Sequence, residues 1–238
     1  MEDEEKLEAG RAVIRCDVLM IAGLLFVVLT GLAMLLYPGS SDIYRHTHGY
    51  SFTVNFFSDL GATRTYAHQV NAASAVLFMI ALAGVGLAVI FFSFNGPAIA
   101  RLAGSGAWAG GAARVCGIVS GVAFVGIAAT PDNVSDAVHI IFVQVAFGFL
   151  LLFVALLTVQ QVAGRWQARY VVPNIVYLVV LAAYVVLLFF GPDIDTLHGL
   201  EIQAIGQKII VYASILNISI QAYGARAFFL RPQMQKVV

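Results

Sequence analysis

Residues 70–92 read VNAASAVLFMIALAGVGLAVIFF, from Val70 to Phe92, without a single Lys, Arg, Asp or Glu. A helix of about 20 residues, rising 1.5 Å per residue, spans the roughly 30 Å hydrocarbon core of a bilayer. In lipid no water serves the backbone, so a spanning segment must be a helix or part of a closed barrel. Barrel strands alternate with period two, and this stretch does not. It reads as a transmembrane helix. Five further runs read the same way: Val18 to Tyr37, Ala112 to Ala129, Ala137 to Val159, Val171 to Phe190 and Ile202 to Ala222. The chain is therefore expected to be an all-α polytopic membrane protein. It is a six-transmembrane-helix bundle with one long outer loop between helices 1 and 2, and residues 1–238 form a single membrane domain.

Composition agrees. Hydrophobic residues make up 61% of the chain and charged residues 11%. A soluble domain carries about 25% charged residues, so too few are present here to coat a globule of this size. A net charge of zero gives no pull toward nucleic acid. Met1-Glu-Asp-Glu-Glu is acidic where the n-region of a cleavable signal is basic, so the first run is expected to stay as an anchor.

Orientation follows from the cations. With the N-terminus in the cytoplasm, Lys6, Arg11, Arg15, Arg101, Arg114, Arg165, Arg169, Arg226, Arg231 and Lys236 fall inside. Only Arg45 and Arg64 fall outside, and Lys208 lies within helix 6. Positive loops stay in the cytoplasm, which predicts a multi-pass cell-membrane protein with both termini inside. Cys16 and Cys116 then sit at the reducing face, as thiols rather than a disulfide.

The connections differ in kind. Residues 130–136 and 191–200 read as short outer turns. Residues 93–111, rich in Gly, Ala and Ser, read as a flexible inner linker. Residues 38–68 are too long for a simple turn, and Tyr50, Phe52, Val54, Phe56 and Phe57 give them apolar content. This loop is expected to fold as a cap over the outer mouth, with a short strand over residues 51–55 by alternation. Gly117-Ile-Val-Ser-Gly121 lets two backbones approach, within the bundle in preference to a dimer interface.

Polar residues collect on the outer side, all five histidines included. The candidate binding set is Ser58, Asp59, Asn71, Asp132, His139, Glu201 and Lys208. In helix 6, Gln203, Gln207, Ser214, Asn217 and Gln221 share one stripe, while Glu201 and Lys208 share another face. Such a helix cannot turn both faces to lipid. Lys208, roughly 10 Å from the expected outer end of that helix, calls for a carboxylate or an anionic ligand. Glu201 or an outer-loop aspartate is the expected partner. The plain alternatives are a structural ion pair and a lysine that snorkels outward. His46-Thr-His48 and His198-Gly-Leu-Glu201 are too sparse for a metal set, so no metal ligands are assigned. No cofactor is indicated either, and no helix has a histidine at mid-depth for haem.

Asn55-Phe-Phe-Ser-Asp-Leu-Gly-Ala62, followed by Asn71, resembles the N-x-x-S-D-L-G outer loop of a family of uncharacterised prokaryotic integral membrane proteins. Pro131-Asp132 before His139, and Glu201 opening helix 6, follow the same order. The layout is also similar to the eukaryotic DRAM/PGAP/Sfk-type six-helix family, linked to autophagy, GPI-anchor lipid remodelling and phosphoinositide synthesis. The resemblance implies a shared polar set of Ser58, Asp59, His139 and Glu201. Two function classes follow. One is a non-catalytic membrane component whose partners are membrane lipids and an anionic or headgroup ligand. The other is an outer-leaflet lipid hydrolase or acyltransferase, with or without a metal, from a similarity of layout to the alkaline-ceramidase/adiponectin-receptor superfamily, which sets Ser, Asp and His at one membrane face with zinc. This chain has six helices rather than seven and no final HxxxH. A transporter ranks lower, since no internal repeat or broken helix is seen.

Overall fold

Each apolar run forms the body of a helix, and the helices extend beyond the runs at several ends. The computed structural model describes residues 2–234, so Lys236 lies outside the described residues. The helices are α1 Glu2–Leu36, α2 Ala72–Ser93, α3 Gly96–Ala103, α4 Ala107–Ala129, α5 Asp136–Ala163, α6 Ala168–Phe190 and α7 Leu197–Met234. Six are long and α3 is short. Five of the long helices are apolar and long enough to cross a membrane. The sixth, α7, is diluted by the polar residues noted above, and it finds its place by packing.

The long helices close a ring in the order α1, α2, α4, α5, α6, α7 and back to α1. Apolar side chains fill the interior, from Leu19 and Phe26 through Phe78, Phe147 and Leu181 to Ile210. Large apolar residues also cover the outside: Leu24, Leu35, Ile80, Val179 and Phe190 are all exposed. A soluble monomer rarely carries so much contiguous apolar surface, whereas a lipid-facing belt requires it. Close approach is tightest between α2 and α4. A Cβ on Gly86 would lie 2.7 Å from the Gly121 carbonyl oxygen, and one on Gly117 would lie 2.5 Å from Ser93. Both glycines of the G-x-x-x-G stretch thus face α2 within this chain.

Two expectations about the connections need correcting. Residues 93–111 are not a flexible linker: they hold α3, whose Ala98, Ile99 and Ala100 are buried against α4 and α5. Its small residues serve close packing, and composition alone could not separate that from mobility. Residues 51–55 form turns, not a strand. No neighbouring strand exists among the described residues for them to pair with.

The long loop begins and ends at the bundle end where α1 stops and α2 starts, here called the cap end. Gly49 N–H donates to the Pro38 carbonyl at 3.1 Å, closing the first lobe. Gly39 at φ 130° makes that turn possible, since a Cβ there would sit 2.2 Å from the Thr47 carbonyl oxygen. The second lobe does not rest on the mouth but enters it. Phe57 is 2% exposed, stacked on Phe26 of α1 at 5.8 Å and edge-on to Tyr212 of α7 at 5.9 Å. Phe26 lies ten residues before the end of α1, about 15 Å along the helix. Irregular backbone is tolerated at such depth only when protein surrounds it.

Candidate functional site

The Asn55–Gly61 segment is built by its own side chains. A 3-10 turn over Ser58–Gly61 brings Asp59 back onto the chain. The Asp59 carboxylate accepts the Phe56 N–H at 3.0 Å and the Asn55 amide at 2.8 Å through one oxygen. Its other oxygen accepts the Tyr66 hydroxyl at 3.3 Å. Asn55 also accepts the Ser51 N–H and donates to the Ser40 carbonyl. From α2, the Asn71 amide donates to the carbonyls of Leu60 and Ala62 at 3.2 and 2.8 Å, and Ser74 donates to Leu60 at 3.1 Å. Gly61 is required by the Phe78 ring, which a Cβ would approach to 2.6 Å. A loop buried this deeply needs such pairing, because each orphaned backbone group would cost about 1–3 kcal/mol.

Two residues of α7 fasten the loop. Gln207 accepts the Phe57 N–H through its side-chain oxygen. Lys208, fully buried, donates through Nζ to the Asn55 carbonyl and to Ala204 O at 3.1 Å. Its ammonium also lies 5.4 Å from the centre of the Tyr50 ring and 5.3 Å from that of Phe52. Lys208 therefore faces the interior and does not snorkel. It enters no ion pair among the described residues. The carboxylate that feels its charge is Asp59. Glu201 is half-buried and makes no ion pair among the described residues. One shared face of a helix does not bring two side chains together when a loop inserts beside one of them.

Beside this plug lies a cavity of about 450 Å³, lined by Tyr37, Arg45, Asp59, Arg64, Thr65, Tyr66, His68, Asp132, Asn133 and Asp136, among others. The α4–α5 turn forms its far wall and is tied to the loop by Asn133, which accepts the Thr63 N–H at 2.9 Å. Asp59 is 1% exposed, and burial pushes its carboxyl up to about 7. The charge of Asp132 adds to this, while the Asn55 amide, the Phe56 N–H and Lys208 oppose it. Burial raises Asp132 as well, with His139 opposing. His139 opens α5, is 6% exposed, and its Nδ1 is 2.8 Å from the Thr130 carbonyl. That acceptor places the proton on Nδ1.

Of the sequence candidates, Asp59 and Asp132 line one cavity, Asn71 braces its floor and His139 acts on Asp132. Lys208 holds the plug from below. Ser58 is half-buried and Glu201 lies on α7, and neither lines the cavity. Sequence reading missed Arg64, Thr65 and Tyr66, which looked like ordinary loop residues. The cations Arg45 and Arg64 in the loop between α1 and α2 were the one signal. A second cavity of about 740 Å³ adjoins, with Arg45, His46, His48, Tyr66 and His68 in its walls. Among the described residues, no three His, Cys, Asp or Glu side chains converge to hold a metal.

No family model, curated protein or solved structure matches this chain.

Proposed function

We propose that this integral membrane protein is a non-catalytic binding component. It holds a lipid headgroup in the cavity at the cap end, with that end outside the cell and both termini in the cytoplasm. The observation that carries the reading is a buried carboxylate, Asp59, in the wall of a cavity that also presents the Arg64 guanidinium. Pockets of a few hundred Å³ with few, placed polar groups are the usual form of a small-ligand site. A hydrolase with a serine nucleophile would need Ser58 beside His139 at the cavity. Ser58 lies outside the cavity, and this favours binding. The Asn55-to-Ala62 segment supports membership of the N-x-x-S-D-L-G family, since Asn55 and Asp59 each have a place in the plug.

Native mass spectrometry of the purified full chain tests the reading. A retained phospholipid, reduced in Arg64→Gln, is the expected result. A chain that carries no lipid and takes up none from added mixed micelles would overturn it. Orientation is tested separately in a background without Cys16 and Cys116. Thr47→Cys should react with an impermeant thiol reagent on intact cells, and Ser105→Cys only after permeabilisation. Thr47 is exposed and serves better than the buried Ser40. The reverse pattern would invert the topology.

A further inference from the structure

The cavity at the cap end has an imbalance of charge. Asp59, Asp132 and Asp136 line it, and none has an ion-pair partner among the described residues. Arg64 lines it too and makes no ion pair among the described residues. Its guanidinium donates through Nη1 to the His68 carbonyl at 3.1 Å. The other arginine, Arg45, is already committed: it meets Asp42 at 2.8 Å and donates to the Tyr66 carbonyl at 3.0 Å. Lys208 acts on Asp59 from within the bundle and is not part of the lining. Three carboxyl groups thus face one uncommitted guanidinium.

Thr65 supplies an independent sign of a ligand. It lines the same cavity and is 4% exposed, yet its hydroxyl has no hydrogen-bond partner among the described residues. A buried hydroxyl left unpaired costs about 1–3 kcal/mol, and sites built to hold a polar group are where such costs are found.

The occupant follows from these groups. A cation is wanted at the acidic side. A metal would need three or four ligand atoms set about one point, and no three His, Cys, Asp or Glu side chains among the described residues are so placed, although three carboxyl groups share the lining. The cation is therefore organic. Carboxylate and hydroxyl oxygens ask for N–H donors, which a primary ammonium has and a quaternary one lacks. A quaternary group is held by aromatic faces instead, and here the Tyr66 ring already carries the Arg45 guanidinium at 5.2 Å. Arg64, in the same lining, fits an oxyanion.

We infer that the cavity takes a zwitterion with a primary ammonium beside an oxyanion, the ammonium on Asp132 and Thr65 and the oxyanion on Arg64. The phosphoethanolamine headgroup has this chemistry, whether borne by a lipid or free in solution. This inference rests on the headgroup-binding reading and narrows it from any headgroup to one class.

The test uses the full chain purified in detergent. Retention by native mass spectrometry and the shift in melting temperature are measured with added phosphatidylethanolamine, phosphatidylcholine and phosphatidylglycerol. Phosphatidylethanolamine should bind about tenfold or more tightly than the other two, the factor one charge-assisted hydrogen bond supplies. Asp132→Asn should bring the preference over phosphatidylglycerol to within about twofold, by removing one such bond. Asn at 132 keeps an oxygen for the Asn133 N–H that Asp132 accepts at 2.6 Å. If that variant does not fold, the lipid comparison in the parent still decides. Soluble O-phosphoethanolamine then identifies the source: competition means the headgroup suffices, and failure to compete means that the lipid is required. Phosphatidylglycerol binding as tightly as phosphatidylethanolamine would overturn the zwitterion and leave a headgroup site. Equal binding of phosphatidylcholine would overturn the primary ammonium. No effect of any lipid would overturn both readings.

Discussion

At the cap end the buried polar residues include side chains that carry charge or can acquire it, Asp59, His139 and Lys208, with half-buried Asp132 beside them, among amides and hydroxyls such as Asn55, Asn71 and Ser74. Toward the other end, where the termini lie, they are amides and hydroxyls. There the Gln161 amide donates to the Gln221 oxygen, and Gln221 donates to the Tyr170 carbonyl and to Asn217, each at 3.1 Å. Asn217 donates to Asn174 at 3.0 Å, and Asn174 to Thr158 at 2.9 Å. The run crosses α5, α6 and α7 and involves no charged side chain. Neutral amides paired with one another fix which helix faces which. Charges set around a cavity cost more to bury and suit a ligand better. The difference teaches that burial of polar residues in this bundle has two meanings, and that charge and free volume tell them apart.

Four measurements would break or sharpen that contrast, and unfolding in mixed micelles reads them all. Asp59→Ala leaves the Asn55 amide, the Phe56 N–H and the Tyr66 hydroxyl without their acceptor. The expected loss is about 3–5 kcal/mol, as for a broken buried charge network. Asn217→Ala in the amide run should lose about 1–3 kcal/mol. Equal losses would erase the distinction.

The pH profile comes next. Folded Asp59 holds its proton up to about 7, above the ordinary aspartate value of 3.8. The unfolded chain binds fewer protons between these values, so its stabilising effect is complete below about 4 and lost as pH rises to about 7. A few kcal/mol are at stake, at about 1.4 kcal/mol per pKa unit. The groups that bear on Asp59 are Asp132 from the α4–α5 turn, Lys208 from α7, Asn55 and Phe56 beside it in the loop, and the Tyr37, Tyr50 and Tyr66 phenols, whose own ionisation is pushed up by burial. Asp59→Asn should reduce the slope to the part that Asp132 contributes, and Asn217→Ala should retain it. An unchanged slope in Asp59→Asn would assign the titration to another group.

Lys208→Met follows, with an expected loss of about 1–3 kcal/mol. It leaves the Asn55 carbonyl only the Tyr50 hydroxyl at 3.4 Å. Removing the ammonium also takes away a charge that favours ionised Asp59, so the pH slope should end at a higher value. A variant as stable as the parent, with the same slope, would make Lys208 a spectator. Thr65→Val comes last. It removes a buried hydroxyl without a partner, so stability should rise by about 1–3 kcal/mol while phosphatidylethanolamine binding falls. A marked loss of stability would mean that the hydroxyl serves the fold.

Much of this was legible in the sequence because lipid permits few structures. The helix count, the polar stripe of α7 and the inward face of Lys208 all follow from the cost of polar groups in hydrocarbon. The ordered loop was legible from its aromatic residues, and its polar motif from Asn55, Asp59 and Asn71. Its depth was not, because the insertion of Phe57 depends on a gap between α1, α2 and α7 that no single segment encodes. Glu201 misled for a related reason: helical spacing gives a face, and only the packing decides what stands opposite it. The amide run needed Thr158, Gln161 and Asn174 to be read jointly with α7, and each looks unremarkable alone.

The plug is held by Gln207 and Lys208, 150 and 153 residues further along the chain than the groups they bind. During synthesis those partners emerge last, when α1, α2 and the loop have long been made. The loop cannot be pinned from α7 until that helix packs against α1 and shuts the ring. Ring closure and loop docking therefore become a single late event, and the cavity is a product of completed assembly. Chains halted before residue 197 should expose the loop to protease at the cap end, and full chains should protect it. Protection in the halted chains would mean that α1 and α2 suffice to seat Phe57.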